Sequence, residues 1–287
     1  MKSDTIERDL VSPEPTLQFG QPAKFCFKSY GVNIRLESSQ QSLLNEAELV
    51  TRKSLIGRIQ PSNDEPPAYV FRIEHDHKGV YSLYRNGEEF SSGPSRRGLF
   101  KFFDSLVRVA VARDAVDHVF MHAGVVGWKG RAIVIPGDSF HGKSTLVAEL
   151  VRNGAIYYSD EFAILDSDGL VHPFERDLAM RTDDGEYTRY ELTVESLGGV
   201  AGKTSIPVGM VLVTKYEPQG VWNPKLLTPG NGVLQMIPFT ISLSHRPEFS
   251  IGVLKKIAGR AIIALSPRGS AVEFAKILLE FVDKNLD

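Results

Sequence analysis

Residues 137–144 read Gly-Asp-Ser-Phe-His-Gly-Lys-Ser, directly after the apolar run Ala132, Ile133, Val134 and Ile135. This stretch constrains the fold more tightly than any other in the chain. A strand that ends in a glycine-framed loop and continues as a helix gathers successive backbone N–H groups and a helix N-terminus around one spot, which is a cradle for phosphate. Within it Lys143 supplies positive charge and Ser144 a hydroxyl suited to Mg2+. The residues after it, Thr145 to Arg152, have the composition of a helix, so the pattern stands in the strand–loop–helix context that the chemistry needs. A chance match would arise in roughly one chain of this length per hundred. The expected nucleotide-binding residues are Gly137, Asp138, Ser139, Phe140, His141, Gly142, Lys143, Ser144 and Thr145.

Two neighbours in sequence extend the site. Fifteen residues beyond Ser144 the apolar strand Ala155 to Tyr158 ends in Ser159-Asp160-Glu161. In a strand–helix–strand unit the carboxyl end of the second strand opens on the same edge as the loop after the first, so these carboxylates reach the metal or the attacking group. Adjacent side chains on an extended segment point to opposite faces, so the two acids have different tasks. Upstream, Met121 to Val126, a turn at Gly127 to Gly130 and the run from Arg131 to Ile135 predict a hairpin that sets His122 beside the loop. A lone histidine is more often structural, but at this place it can orient a carboxylate or contact phosphate.

Bulk properties exclude several classes. At 287 residues, 42% hydrophobic and 24% charged, the chain has ordinary globular composition and can bury a proper core. A net charge of -2 and a pI near 6.4 give no basic footprint for DNA, RNA or anionic lipid, so no nucleic-acid partner is expected. There is no basic-then-apolar leader and no uninterrupted apolar span of about 18 residues, so no membrane association is expected. The single cysteine, Cys26, has no internal partner and lies in an alternating strand-like segment; a reducing, cytoplasmic location is the expectation.

The pattern along the chain divides it into a polar, proline-bearing tail over residues 1–15, an N-terminal α+β layer over 16–115, and a nucleotide-binding core over 116–287. The layer shows strand-like runs at Ala23 to Tyr30, Val32 to Leu36, Tyr69 to His75 and Val80 to Arg85, with a helix at Ser42 to Val50 and a loop at Gln60 to Pro67. An amphipathic helix from Arg97 to Arg113 should bury Leu99, Phe102, Phe103, Leu106 and Ala110. After the acid pair come strands at Phe162 to Leu165, Val208 to Lys215 and Ala261 to Leu265, with Thr182 to Ser205 as a mobile substrate loop. A closing helix starts at the capping pair Ser270 and Glu273 and should bury Phe274, Ile277, Leu278 and Phe281. The expected class is α/β, with α+β character overall.

Weaker candidates remain. His75-Asp76-His77 has metal-like composition but sits at a turn without further ligands near in sequence, and reads as turn chemistry. Arg176 and Arg181 follow the acid pair and can clamp phosphate oxygens, though a solvated surface accounts for them equally well. Lys203, Lys215, Arg246, Lys255, Lys256, Arg260 and Arg268 give the last third several cations, none of which stands out.

The text His122-Ala123-Gly124, the 137–144 loop, Asn153-Gly154-Ala155 and Ser159-Asp160-Glu161 together resemble, in order and spacing, the catalytic core of the HPr kinase/phosphorylase family and its kinase-only relatives. Phe140 stands where that family usually has glycine, and Glu161 where it has a second aspartate. The glycine-rich C-terminal signature of the phosphorylase activity is not found, and the first hundred residues are unlike theirs. The better match is the dispersed group of HPr-kinase-like proteins, some of which resemble tailoring kinases that phosphorylate a serine of a ribosomally made precursor peptide. The resemblance implies a P-loop core of the HPr-kinase/PEP-carboxykinase type, ATP and Mg2+ as cofactors, a peptide or small-protein substrate, and self-association into a homo-oligomer.

On that footing the expected activity is an ATP-dependent kinase. Loop amides and Lys143 hold the β- and γ-phosphates, Ser144 and Glu161 bind Mg2+, Asp160 accepts the proton of a serine hydroxyl, and His122 holds Asp160 in place. Positioning and charge neutralisation suffice for phosphoryl transfer. The rival readings are a nucleotide-gated ATPase or binding protein that phosphorylates nothing, and a small-molecule kinase.

Overall fold

A computed structural model of the protein describes residues 22–62, 65–138, 142–181 and 189–285. In chain order its first part comprises β1 (Ala23–Ser29), β2 (Val32–Ser38), α1 (Gln41–Ser54), β3 (Gln60–Pro61), β4 (Tyr69–His75), β5 (Tyr81–Arg85), β6 (Glu88–Gly93) and α2 (Arg96–Asp114). The second part comprises β7 (Val119–Trp128), β8 (Arg131–Pro136), α3 (Lys143–Arg152), β9 (Ile156–Ser159), β10 (Phe162–Leu165), β11 (Leu170–His172), β12 (Leu178–Arg181), β13 (Arg189–Leu192), β14 (Ile206–Tyr216), β15 (Lys225–Leu226), α4 (Pro229–Met236), α5 (Pro247–Ala258), β16 (Ile262–Arg268) and α6 (Ala271–Asn285). The result is a mixed α+β fold. Among the described residues no helix is long and apolar enough to cross a membrane.

The first part is a six-stranded sheet in the order β3-β1-β2-β4-β5-β6 with α1 and α2 on one face. Period-2 alternation puts Val32, Ile34 and Leu36 of β2 and Tyr69, Phe71 and Ile73 of β4 on the buried face. Helix α2 starts at Ser95, whose side chain accepts from the Gly98 N–H at 3.0 Å. Its buried stripe is Leu99, Phe100, Phe103, Val107, Ala110 and Val111, rotated from the expected one. Phe102 is 40% exposed and stacks on Phe90 of β6, a strand without a clear sequence signal, which is why the stripe turned.

The second sheet runs β11-β10-β7-β8-β14-β16-β15, with β9 also on β7. Strands β8, β14 and β16 are parallel, while β7 and β8 form the predicted hairpin, closing Trp128 on Arg131 through Lys129 and Gly130, both at positive φ. Alternation along β8 sends Ile133 and Ile135 toward α3 and α6, and Ala132 and Val134 toward α4 and α5. Fully burying side chains such as Leu146, Val147 and Leu150 of α3 contributes about 1.5–3 kcal/mol each. Gly124 of β7 permits that docking, since a Cβ there would stand 2.6 Å from Val147 Cγ2.

Two expectations need correction. The Thr182 to Ser205 stretch lies partly outside the described residues, and its remainder, though largely exposed, is pinned to the core at a few points. Val194 and Leu197 pack with α3 and α6, and Tyr157 of β9 exchanges hydrogen bonds with Val200 and Gly202 at 2.9 and 2.7 Å. These apolar positions are too sparse to read as an element. In α6 the buried residues are Ala271, Phe274, Ala275, Leu278, Leu279 and Val282, whereas Phe281 is half-buried and Ile277 is 43% exposed.

Candidate functional site

The hairpin register Ala123↔Pro136 sets His122 level with the entrance of the 137–144 loop, where the Gly137 N–H donates to the His122 carbonyl at 3.4 Å. At its far end Gly142 takes a left-handed conformation (φ 74°, ψ 23°) and becomes the N-cap of α3, its carbonyl accepting from Leu146 N–H at 3.1 Å. Ser139, Phe140 and His141 lie outside the described residues. Of the other loop residues, Gly137 is buried, Asp138 is exposed at the rim, and Thr145 is exposed on the first turn of α3.

Lys143 is buried, yet two acceptors hold its ammonium: the Asp138 carbonyl at 2.8 Å and His122 Nε2 at 3.3 Å. The histidine's other nitrogen, Nδ1, lies 3.0 Å from the Glu161 carbonyl. A carbonyl oxygen only accepts, so Nδ1 carries the hydrogen and Nε2 presents its lone pair to Lys143. Burial first, and the Lys143 charge second, keep the imidazole below its ordinary pKa. His122 is therefore a neutral acceptor for the lysine, not a partner of the Asp160 carboxylate as the sequence led one to expect.

The acid pair sits in the tight turn between β9 and β10, where Ser159 Oγ accepts from the Glu161 and Phe162 N–H groups at 3.1 and 3.0 Å. That turn separates the two carboxylates. Asp160 points toward Ser144 and Lys143, and its Oδ1 is buried with no hydrogen-bond partner. Burial raises its carboxyl to about 7, against the opposing pull of the Ser144 hydroxyl and the Lys143 charge.

Glu161 points the other way, into a cluster of arginines. Its Oε1 accepts from Arg108 Nε at 2.9 Å, and Oε2 lies 3.6 Å from Arg176 Nε. Arg108 also donates to Asp104 and, at 3.2 Å, to Ser54 Oγ. Arg176 donates to the Ser54 carbonyl at 3.1 Å and to Asp104 at 3.3 Å. Burial alone would raise the Asp104 carboxyl, but Arg108 and Arg176 hold it below its usual value. Arg176, read from the sequence as either a phosphate clamp or a solvated surface cation, is instead committed to Asp104 and Glu161. Arg181 ends β12, and its side chain lies outside what the structure describes.

Sequence reasoning missed Asp104 and Arg108, read only as part of an amphipathic helix, and did not separate Arg268 from other cations. The available signal for Arg108 was an arginine on the apolar stripe, between Val107 and Val111. Arg268 ends β16 and donates from Nη2 to the Gly142 carbonyl at 2.7 Å, at the end of the loop that enters α3.

No family model matches the chain, and no curated protein matches it. Among solved structures it is similar to the Hpr(Ser) kinase/phosphatase from Coxiella burnetii, with a TM-score of 0.33 and 11% identity, over 57% of this chain and 88% of that one. At that level the likeness bears on neither family nor activity.

Proposed function

We propose that the chain is an ATP-dependent phosphotransferase that moves a γ-phosphoryl group onto a hydroxyl, a serine of a peptide or small protein. The observation that carries the reading is Asp160: a buried carboxylate oxygen without a partner, beside a glycine-framed loop whose lysine is held by the Asp138 carbonyl and His122. A buried acceptor left unpaired is costly, and a site that binds and reacts is where such a cost is retained. The serine acceptor rests on the resemblance of residues 122–181 to the kinase-only relatives.

In this reading the loop amides and Lys143 bind the β- and γ-phosphates, and His122 keeps the ammonium directed by accepting one of its hydrogens. The residues present fit Mg2+, since Ser144 and Asp160 bring hard oxygen donors to one place while both oxygens of Glu161 are taken up by arginines. Bound there, Mg2+ would neutralise charge on the β- and γ-phosphates. The acceptor oxygen forms a bond to the γ-phosphorus, the bond to the β,γ-bridging oxygen breaks, the hydroxyl proton passes to Asp160, and ADP departs.

The test is to incubate the protein with Mg2+ and γ-labelled ATP in lysate of its own host, with Lys143→Ala as control, and to follow the label by size. Label on a peptide or small protein only with the intact enzyme is expected. Label solely in inorganic phosphate instead supports a nucleotide-gated ATPase. One observation favours that second reading: Glu161 ties the acid turn to α2, a route by which nucleotide could move the first sheet. Label on a dialysable product would mark a small-molecule kinase.

A further inference from the structure

Arg268 is 2% exposed, and a guanidinium so deep ordinarily has a carboxylate against it, because an uncompensated buried charge is costly. Among the described residues it has none. Nη2 donates to the Gly142 carbonyl at 2.7 Å and Nη1 to the Gly269 carbonyl at 3.0 Å, while Nε is buried without a partner. The Tyr216 ring lies 5.7 Å from its Cζ. Burial pulls the guanidinium down to about 10.

Two glycines make room for this residue, Gly142 for its side chain and Gly220 for its backbone. A Cβ on Gly142 would stand 2.6 Å from Arg268 Nη2, and one on Gly220 would stand 2.6 Å from the Arg268 carbonyl oxygen. The parallel register Thr214↔Ser266 and Tyr216↔Arg268 puts these residues at the carboxyl ends of β14 and β16, on the edge where β8 delivers the loop. There Thr214 Oγ1 is a second buried polar atom with no partner. Anions bind at such strand ends in parallel sheets.

We infer that Arg268 is a second cation of the polyphosphate site, a positioning residue that holds Gly142 in its left-handed turn through the carbonyl and whose charge finds its counter-anion only when phosphates occupy the loop. The inference rests on the nucleotide reading above. It separates two quantities that a packing role would join: removing the charge weakens polyphosphate binding and relieves the empty protein of an unpaired buried cation.

The experiment titrates Mg2+-ATP, inorganic tripolyphosphate and AMP calorimetrically into the wild type, Arg268→Met and Arg268→Lys, and records unfolding of each protein without ligand. Expected are at least a tenfold loss of affinity for ATP and tripolyphosphate in Arg268→Met, a smaller loss in Arg268→Lys, little change for AMP, and unliganded Arg268→Met melting no lower than the wild type. ATP affinity within twofold of wild type in Arg268→Met overturns the inference. So does a loss as large for AMP as for ATP together with a lowered melting point, which marks packing alone. Should Arg268→Met not fold, Arg268→Lys decides: a loss above threefold for ATP supports the role of the fork at Gly142, and a smaller one overturns it. A wild type that binds neither ATP nor tripolyphosphate removes the nucleotide reading and this inference together, whereas binding by all three proteins alike removes this inference alone.

Discussion

Arg108 Nε donates to Glu161 Oε1 at 2.9 Å, so α2 of the first sheet grips one of two adjacent carboxylates and leaves the other, Asp160, to the loop. Replacing Arg108 with methionine leaves Glu161 and Asp104, which are 29% and 24% exposed and keep some hydration, to share Arg176. A loss of about 2–3 kcal/mol is expected on breaking a pair of this depth, read by urea unfolding.

Asp160 makes stability fall with pH in the protein free of metal and nucleotide. Its folded pKa, about 7, lies above the unfolded 3.8, so the native state holds an extra proton between those values. The associated stability is complete below about 3.8 and is lost as pH rises through 7, in total on the order of 4 kcal/mol. Asp160→Asn should remove that slope and unfold at higher denaturant at pH 8. It should abolish transfer; transfer at the wild-type rate would take Asp160 out of the mechanism.

Lys143→Met should lower ATP affinity at least tenfold by calorimetry. It should also raise the His122 pKa toward its ordinary value, because the neighbouring charge is one of the two causes of its depression. An NMR titration of the histidine ring that shows no upward shift would break the proposed Lys143–His122 pairing.

Gly124→Val should cost roughly 1–3 kcal/mol, the usual penalty of overpacking, since its Cβ would meet Val147 Cγ2 at 2.6 Å. Because α3 carries Lys143 and Ser144, ATP affinity should fall with stability. A variant as stable as wild type with unchanged affinity would show that α3 tolerates displacement.

How far the site could be read in advance depended on the separation of its parts along the chain. The β8–loop–α3 unit, the β7–β8 hairpin and the acid turn were legible because each is written in neighbouring residues: an apolar run, two glycines, a Lys-Ser pair, a period of two. His122 falls beside the loop by counting along a hairpin, and the structure agrees. Helix faces were legible only approximately. Phe100 is buried and Phe102 exposed, a rotation that depends on β6 lying against α2, which no periodicity within α2 encodes.

The sequence by itself determined the strand–loop–helix unit and the identity of its lysine, serine and acids, since local hydrogen bonding and alternation act over a few residues. Only the tertiary structure decided what each charge faces. Arg108 and Glu161 are 53 residues apart and Arg268 and Gly142 are 126 apart, yet burial brings each pair within hydrogen-bond reach. Burial also divides the roles of two adjacent carboxylates, because desolvation and the nearest cation belong to the packed neighbourhood and not to the residue.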